Sequence, residues 1–426
     1  MENLSSNTNG TARQFERKPY SGVIDFSVSS HDSKERKLLN LKGKAVDISE
    51  TGVGIRTDYP LPPGHMLWFN DGIKDKAGFV RWCVQVDDDY RVGIKLDGKQ
   101  IRHLDHSTEA FNRDLAGIEK RCLDPRENPD RLLNDITTAI SNVLEACKDF
   151  ETNVKDRDII RDAQIRFREK TNKILSKSYF INRARTWPRG QQGDYKTLEL
   201  AYKNTPLSEG IGYYLDLYLL NSDLGPAVRN RIKKLKDMLR DELLEREKPS
   251  VLNIACGSCR EVFELAPAIE KSRAKFICID LDDDALSFAA NRLTYTNISP
   301  LSSNQVQFRK YNALRMFDHE LNMSEFGMQD IIYSVGFFDY LESDFLSRLL
   351  KASYAMLKPG GKLIASFKDA SRYRHQDYHW IVDWDGFLQR YEEDFRSVLY
   401  DAGIPDSAIT ETREETGIIV FYVISK

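Results

Sequence analysis

The sequence predicts a multidomain α+β protein: a small N-terminal β barrel, a helical connector and a C-terminal doubly wound α/β domain. Three observations predict it. Short alternating segments punctuated by turns run from about Arg13 to Leu96. From about Ile101, apolar residues recur at three- and four-residue steps. From Ser250 onward, short apolar strands alternate with helical stretches. These changes of period divide the chain into 1–105, 106–245 and 246–426.

The 426 residues are 41% hydrophobic and 30% charged, a soluble composition large enough for more than one core. Lys plus Arg number 62 against 65 Asp plus Glu, a net charge of −3, which argues against a broad DNA- or RNA-binding surface. The opening MENLSSNTNG lacks the apolar centre of a signal peptide, and no run of about 18 apolar residues occurs. Six scattered cysteines do not form a disulfide framework. A cytoplasmic protein is expected.

Each element has its own warrant. GVIDFSV, GKAVDIS, GVGIRTD, HMLWFN, AGFVRWCVQV and YRVGIKL read as strands, with Pro60, Pro62, Pro63 and Gly64 marking a turn. In the connector, Leu132, Leu133, Ile136, Ile140, Val143, Leu144 and Cys147 form one apolar helix face. Its last helix, PAVRNRIKKLKDMLRDELLERE, has Pro226 in the first turn. VLNIA then reads as a buried strand, CGSC as a tight turn and REVFELAPAIEK as a helix. FICIDLD is a second strand ending in Asp280, VQFRKYNAL a third ending at Asn312, and MQDIIYSVGFFDYL a fourth opening into Ser334 and Gly336. LLKASYAMLKPGGKLIASF supplies a helix, a Pro–Gly–Gly turn and a fifth strand.

The turn between Val251 and Leu265 contains Cys256 and Cys259 as a CxxC pair. A zinc site needs two further ligands, and neither His103/His106 nor His375/His379 belongs to a Cys–His module. A redox pair at a helix start is an alternative. The context favours a cofactor turn, because an acidic residue ending the second strand can accept hydrogen bonds from ribose hydroxyls. Residues 250–426 as a whole, with MLKPGGKLIASF and a terminal GIIVFYVISK, resemble the Rossmann-like class I S-adenosylmethionine-dependent methyltransferases. The resemblance implies that Ala255, Gly257 and Ser258 lie beside the methionine part of S-adenosylmethionine. It implies that Asp280, with Leu281, holds the ribose, that Asn312 and Ala313 contact the adenine, and that Ser334 ends the strand beside them. Here Asn253 replaces the usual acid, Ala255 the first glycine and Cys259 the third.

In the N-terminal module, Arg13 and Arg17 form an RxxxR pair, and Asp47, Ser49 and Gly52 form a DxSxxG loop. Two arginines four apart can clasp phosphates and offer planar forks to guanine. The order and spacing of the two motifs resemble the PilZ domain, a receptor for cyclic di-GMP (c-di-GMP). The resemblance maps ligand binding onto Arg13, Arg17, Asp47, Ser49 and Gly52. A solvated basic arm beside an ordinary Asx turn is the plainer alternative.

TWPRGQQGDYKTLELAY, from Thr186 to Tyr202, is similar to the PRGxxGDY element of methyltransferases of 3-hydroxypalmitic acid methyl ester biosynthesis. That implies methyl transfer to the carboxylate of a lipophilic hydroxy fatty acid, with Arg189, Asp194, Tyr195 and Tyr340 as candidate catalytic residues. The same loop could instead be tied structurally by an Arg189–Asp194 ion pair. The insert FKDASRYRHQDYHWIVDWDGF is expected to form a lid or acceptor pocket, with Arg372 or Arg374 available to an acidic substrate. His375 and His379 read as surface or pocket histidines with no metal, and the stripe YLDLYLL as packed core. The sequence therefore points to a c-di-GMP-responsive methyltransferase, with the connector as a homodimer interface or a brace. A protein carboxyl methyltransferase and a non-catalytic adaptor binding both nucleotides are the alternatives.

Overall fold

The computed structural model describes residues 18–29, 38–49, 51–70, 77–96, 98–155, 157–295, 301 and 305–426. Two compact units divide the chain: 1–124 with 134–174, and 125–133 with 175–426. Among the described residues no helix is long and apolar enough to cross a membrane.

In the first unit, β1 (Lys18–Ser29), β2 (Leu38–Ser49), β3 (Gly52–Thr57), β4 (Met66–Phe69), β5 (Ala77–Val86) and β6 (Asp89–Leu96) close a barrel in the order β1-β2-β3-β6-β5-β4. Period-two alternation places Ile24, Phe26 and Val28 of β1 inside, facing Val53 and Ile55 of β3 and Val92 and Ile94 of β6. A one-residue slip would turn each set outward, so burial fixes the register. The barrel is followed by α1 (Gly98–Arg121), α2 (Pro129–Val154) and α3 (Arg157–Leu175). Buried Asp105 on α1 takes Lys170 at 2.5 Å and Arg166 at 3.5 Å from α3. The Arg166 guanidinium also lies 4.1 Å over the Trp68 ring, which ties helix to barrel. The apolar face read for α2 is buried at Ile136, Ile140, Val143, Leu144 and Cys147.

The second unit opens with α4 (Tyr179–Thr186), α5 (Tyr195–Lys203), α6 (Ile211–Asn221) and α7 (Leu224–Glu245). The helical region expected at 106–245 is thus shared between the units, its first half with the barrel and its second with the sheet. The sheet is built by β7 (Ser250–Ile254), α8 (Arg260–Glu264), α9 (Ala266–Ser272), β8 (Lys275–Asp280), α10 (Asp283–Tyr295) and β9 (Val306–Lys310). It continues with α11 (His319–Glu325), β10 (Gln329–Val335), α12 (Ser343–Ala355), β11 (Leu357–Lys368), α13 (Glu392–Asp401), β12 (Ile409–Arg413) and β13 (Ile419–Ser425). The strand order is β12-β13-β11-β10-β7-β8-β9. Strands β8 to β11 run parallel with β7, and β13 runs antiparallel to both its neighbours, β11 and β12. The core packs Leu252 and Ile254 of β7 with Ile332, Leu363, Val420 and Tyr422.

The chain leaves β7 toward β8 and β9, then returns to the other side for β10 and β11. At that switch point the loops diverge, which opens a crevice at the carboxyl ends of the strands.

Candidate active site

The loop after β7 is set by its backbone. Ala255, Gly257 and Cys259 all take positive φ, at 57°, 53° and 46°. Substituting alanine and cysteine for glycine has therefore not relaxed the turn: two non-glycine residues hold the left-handed region at roughly 1–2 kcal/mol each. Cys256 N–H donates to the Ile279 carbonyl at 2.9 Å and Gly257 N–H to Asp280 Oδ2 at 2.8 Å. Asp280 Oδ1 accepts from Asp282 N–H at 2.9 Å. Burial raises the Asp280 carboxyl above its ordinary range against these two amides. Each of its oxygens keeps a lone pair for a further donor.

The cysteines take no part in an open site. Cys256, Cys259 and Cys278 are free and buried, and burial pushes the Cys256 and Cys259 thiols up, so they stay protonated. Glu261 lies beside them, 4% exposed, accepting from Asn253 Nδ2 and the Tyr333 hydroxyl, both at 2.8 Å. Burial lifts its carboxyl to about 7. A carboxyl raised on folding contributes stability below the unfolded value near 4.3 and loses it as pH climbs through the folded value. Glu261→Gln keeps both accepted bonds and removes the charge. It should match the parent at about pH 3.5, below the unfolded value, and exceed it by about 1–3 kcal/mol at pH 8 in urea titrations. Equal differences at both pH values would refute the burial account.

Over this turn lies a cavity of about 580 Å³. Ala255, Gly257, Asp280, Leu281, Asn312 and Ala313 line it, as do Asp194, Tyr195 and Tyr340. Arg189, Ser258 and Ser334 do not. Ser258 Oγ donates to buried Glu199 at 2.7 Å, and Ser334 Oγ to the Ile254 carbonyl at 2.8 Å. Both hydroxyls are held by the scaffold. Glu199 also takes Arg260 and Arg292, so α5 is clamped to α8 and α10.

The Arg189–Asp194 ion pair, the structural alternative for this loop, does not form. Asp194 caps α5, accepting from Thr197 N–H at 2.9 Å, and pairs with Arg183, the carboxylate being buried and the guanidinium largely so. Arg189 instead reaches Asp282 at 2.7 Å and Asp284 at 2.5 Å in the β8–α10 connection. Sequence proximity chose the wrong partner, because the loop turns Arg189 toward a strand end about ninety residues away in the chain. Asp194 is fully engaged by its cap and ion pair, whereas Tyr195 packs over the turn, its Cβ 3.9 Å from where a Cβ on Gly257 would stand. Tyr340 reaches the same loop, its hydroxyl 2.8 Å from the corresponding point on Gly193, which has φ +64°.

The insert after β11 covers the cavity with Tyr378, Val382, Trp384, Gly386 and Phe387. It interlocks with the PRGxxGDY loop. Trp187 Nε1 donates to the Asp383 carbonyl at 2.9 Å, and Gln192 accepts from Gly386 N–H at 2.6 Å. Arg372 and Arg374 do not line it: they pair with Asp369 and Asp377. The stripe expected to be core is divided. Tyr218 packs against Asp377, its hydroxyl donating at 2.6 Å, while Leu219 and Leu220 face the cavity.

Sequence reasoning missed two basic residues in the lining, Arg231 and Lys368. Lys368, at the end of β11, donates to Asp339 at 2.5 Å and lies 4.7 Å from the Phe387 ring centroid. Burial pushes its amine down, against the pull of Asp339. Arg231 is 3% exposed on α7. A signal was present: Leu224, Val228, Arg231 and Leu235 share one helical stripe, with a guanidinium at an apolar position.

In the first unit, Asp47 and Ser49 end β2 and Gly52 begins β3, so the DxSxxG motif is a hairpin rather than a loop. Asp47 pairs with Arg91 of β6 at 2.8 Å, and Ser49 Oγ donates to the Gly52 carbonyl at 3.2 Å. Arg13 and Arg17 lie outside the described residues.

Residues 252–363 match the family model of a methyltransferase domain, and residues 11–110 that of the PilZ domain. No curated protein is similar to the chain in sequence. Among solved structures it is similar to a possible exported protein from Bordetella parapertussis, at 14% identity and TM-score 0.45, over 76% of this chain and 96% of that one. It is also similar to the magnesium protoporphyrin IX methyltransferase of Synechocystis PCC 6803 with bound SAM, at 14% identity and TM-score 0.34, over 48% and 83%. The N-methyltransferase NodS of Bradyrhizobium japonicum WM9 gives 18% identity and TM-score 0.33, over 55% and 97%.

Proposed function

We propose, for a chain that joins a PilZ domain to a methyltransferase domain, that the second unit methylates the carboxylate of a lipophilic hydroxy acid and that c-di-GMP bound by the first unit regulates it. One observation carries the reading. A single cavity joins a carboxylate at the end of β8, suited to ribose hydroxyls, to an apolar wall and two basic side chains.

The residues present fit an adenosyl cofactor. Asp280 has acceptor capacity left, and among the described residues Tyr195 alone comes within 4 Å of where a Cβ on Gly257 would stand. Asn312 Oδ1 accepts from Leu314 N–H at 3.0 Å, which shapes the loop after β9 beside the place read for the adenine. When bound, S-adenosylmethionine supplies an activated methyl group. The protein's own task is then to hold the acceptor in line and exclude water. A carboxylate is ionised at neutral pH and requires no general base. Tyr340, Trp384 and Phe387 would close the acceptor side.

The test incubates the purified chain with methyl-labelled S-adenosylmethionine and a bacterial extract, with and without c-di-GMP, followed by partition into organic solvent. Label in the solvent phase that changes with c-di-GMP is the expected result. Label retained on protein would favour a protein carboxyl methyltransferase instead. No transfer despite proven cofactor binding would favour the adaptor. Transfer that ignores c-di-GMP would remove the regulatory half of the proposal.

A further inference from the structure

Arg231 is a buried cation that meets no counter-ion among the described residues. Among the described residues its only hydrogen bond is a long one, Nη2 to the Tyr202 hydroxyl at 3.5 Å, and its Nε is buried with no partner. Among the described residues it makes no ion pair, while its neighbour in the lining, Lys368, is neutralised by Asp339. The side chain borders the cavity, and Nη1 would stand 2.9 Å from a Cβ on Gly336, at the exit of β10. A charge withdrawn from water this far is costly unless an anion meets it, and among the described residues no carboxylate does.

Its place in the fold indicates which anion. Asp280 ends β8 and Asn312 follows β9, on one flank of β7, whereas Gly336 follows β10 and Lys368 ends β11, on the other. Leu224 and Val228 precede Arg231 on the same face of α7 and also line the cavity. About 10 Å of helix therefore presents an apolar wall that ends in a planar cation.

We infer that Arg231 holds the carboxylate of the acceptor, so that α7 selects an apolar acid by its head as well as its chain. This rests on the reading of the cavity as a methyl-transfer site for a lipophilic acid. One consequence is built into the charge. The methyl ester product is neutral, cannot form an ion pair with the guanidinium, and is held more weakly than the acid. The other carboxylate that could reach Arg231 is that of the cofactor's amino-acid end, and the test separates the two.

Calorimetry on the full chain would measure three ligands: S-adenosylhomocysteine alone, then 3-hydroxydodecanoate and its methyl ester, each with S-adenosylhomocysteine saturating. The unaltered protein should bind the acid about 30-fold more tightly than the ester, as expected for a charge-assisted pair. Arg231→Met should abolish that preference by weakening the acid alone, with S-adenosylhomocysteine affinity held within about 3-fold; Arg231→Lys should recover part of it. A thermal melt shows that each variant is folded. Loss of S-adenosylhomocysteine binding with the acid preference intact would assign Arg231 to the cofactor and overturn the inference. Equal weakening of acid and ester would overturn it too, leaving Arg231 a structural role. If the unaltered protein binds S-adenosylhomocysteine but not the acid, the lipophilic-acid reading itself falls.

Discussion

Asp280→Ala should weaken S-adenosylhomocysteine binding by at least about 100-fold in calorimetry while the protein stays folded. The carboxylate does two jobs at once. It accepts from Gly257 N–H at 2.8 Å and from Asp282 N–H at 2.9 Å, so it joins the turn after β7 to the exit of β8. In the proposed function its free lone pairs also receive the ribose hydroxyls. Hydrogen bonds to a charged group contribute about 1.5–3 kcal/mol each, and losing one or two of them gives a factor of this size. Asp280→Asn should be intermediate, because one amide oxygen remains to accept from either backbone N–H. An affinity within about 3-fold of the parent for Asp280→Ala would show that the cavity does not take an adenosyl group in this way.

The second large effect is on stability. Asp194→Asn preserves an acceptor for Thr197 N–H but leaves the Arg183 guanidinium buried and unpaired, where the pair's side chains are only 2% and 10% exposed. Removing one partner of such a pair costs about 3–5 kcal/mol, which lowers the melting temperature by about 10 °C for a unit of this size. Arg183→Met combined with Asp194→Asn should recover much of the loss, because no buried charge then remains. The pH dependence follows from the sign of the shift. Burial opposes ionisation of Asp194, yet Arg183 and Thr197 outweigh it and hold the carboxyl below its ordinary value. A carboxyl depressed on folding contributes stability above its unfolded value near 3.9 and loses it as pH falls through the folded one. The deficit of Asp194→Asn should therefore be full at pH 7 and shrink toward pH 3 in denaturant titrations. A deficit independent of pH would mean that packing, not charge, makes Asp194 necessary.

The outlines of both units could be read because they are written in local periodicity. Alternation in GVIDFSV and YRVGIKL put Ile24, Phe26, Val92 and Ile94 inside a barrel. The run VLNIA, the turn CGSC and the acid ending FICID located Gly257 and Asp280 beside one cavity, because a strand, a tight turn and the next strand end are neighbours through backbone geometry alone. The edge strand β12 was missed: ITETR is short, half polar and indistinct until β13 pairs with it.

The partners of the charged side chains could not be read. Arg189 and Asp194 stand five apart in sequence and face different elements; Arg189 meets Asp282 and Asp284, and Asp194 meets Arg183. Arg231 and Gly336 come together only when α7 packs over the exit of β10. Period and turn chemistry are properties of a few adjacent residues, so they survive in the sequence as pattern. Which charges meet, and which one faces a cavity with no counter-ion among the described residues, depends on how distant helices and strand ends converge, and that information exists only once the core has packed.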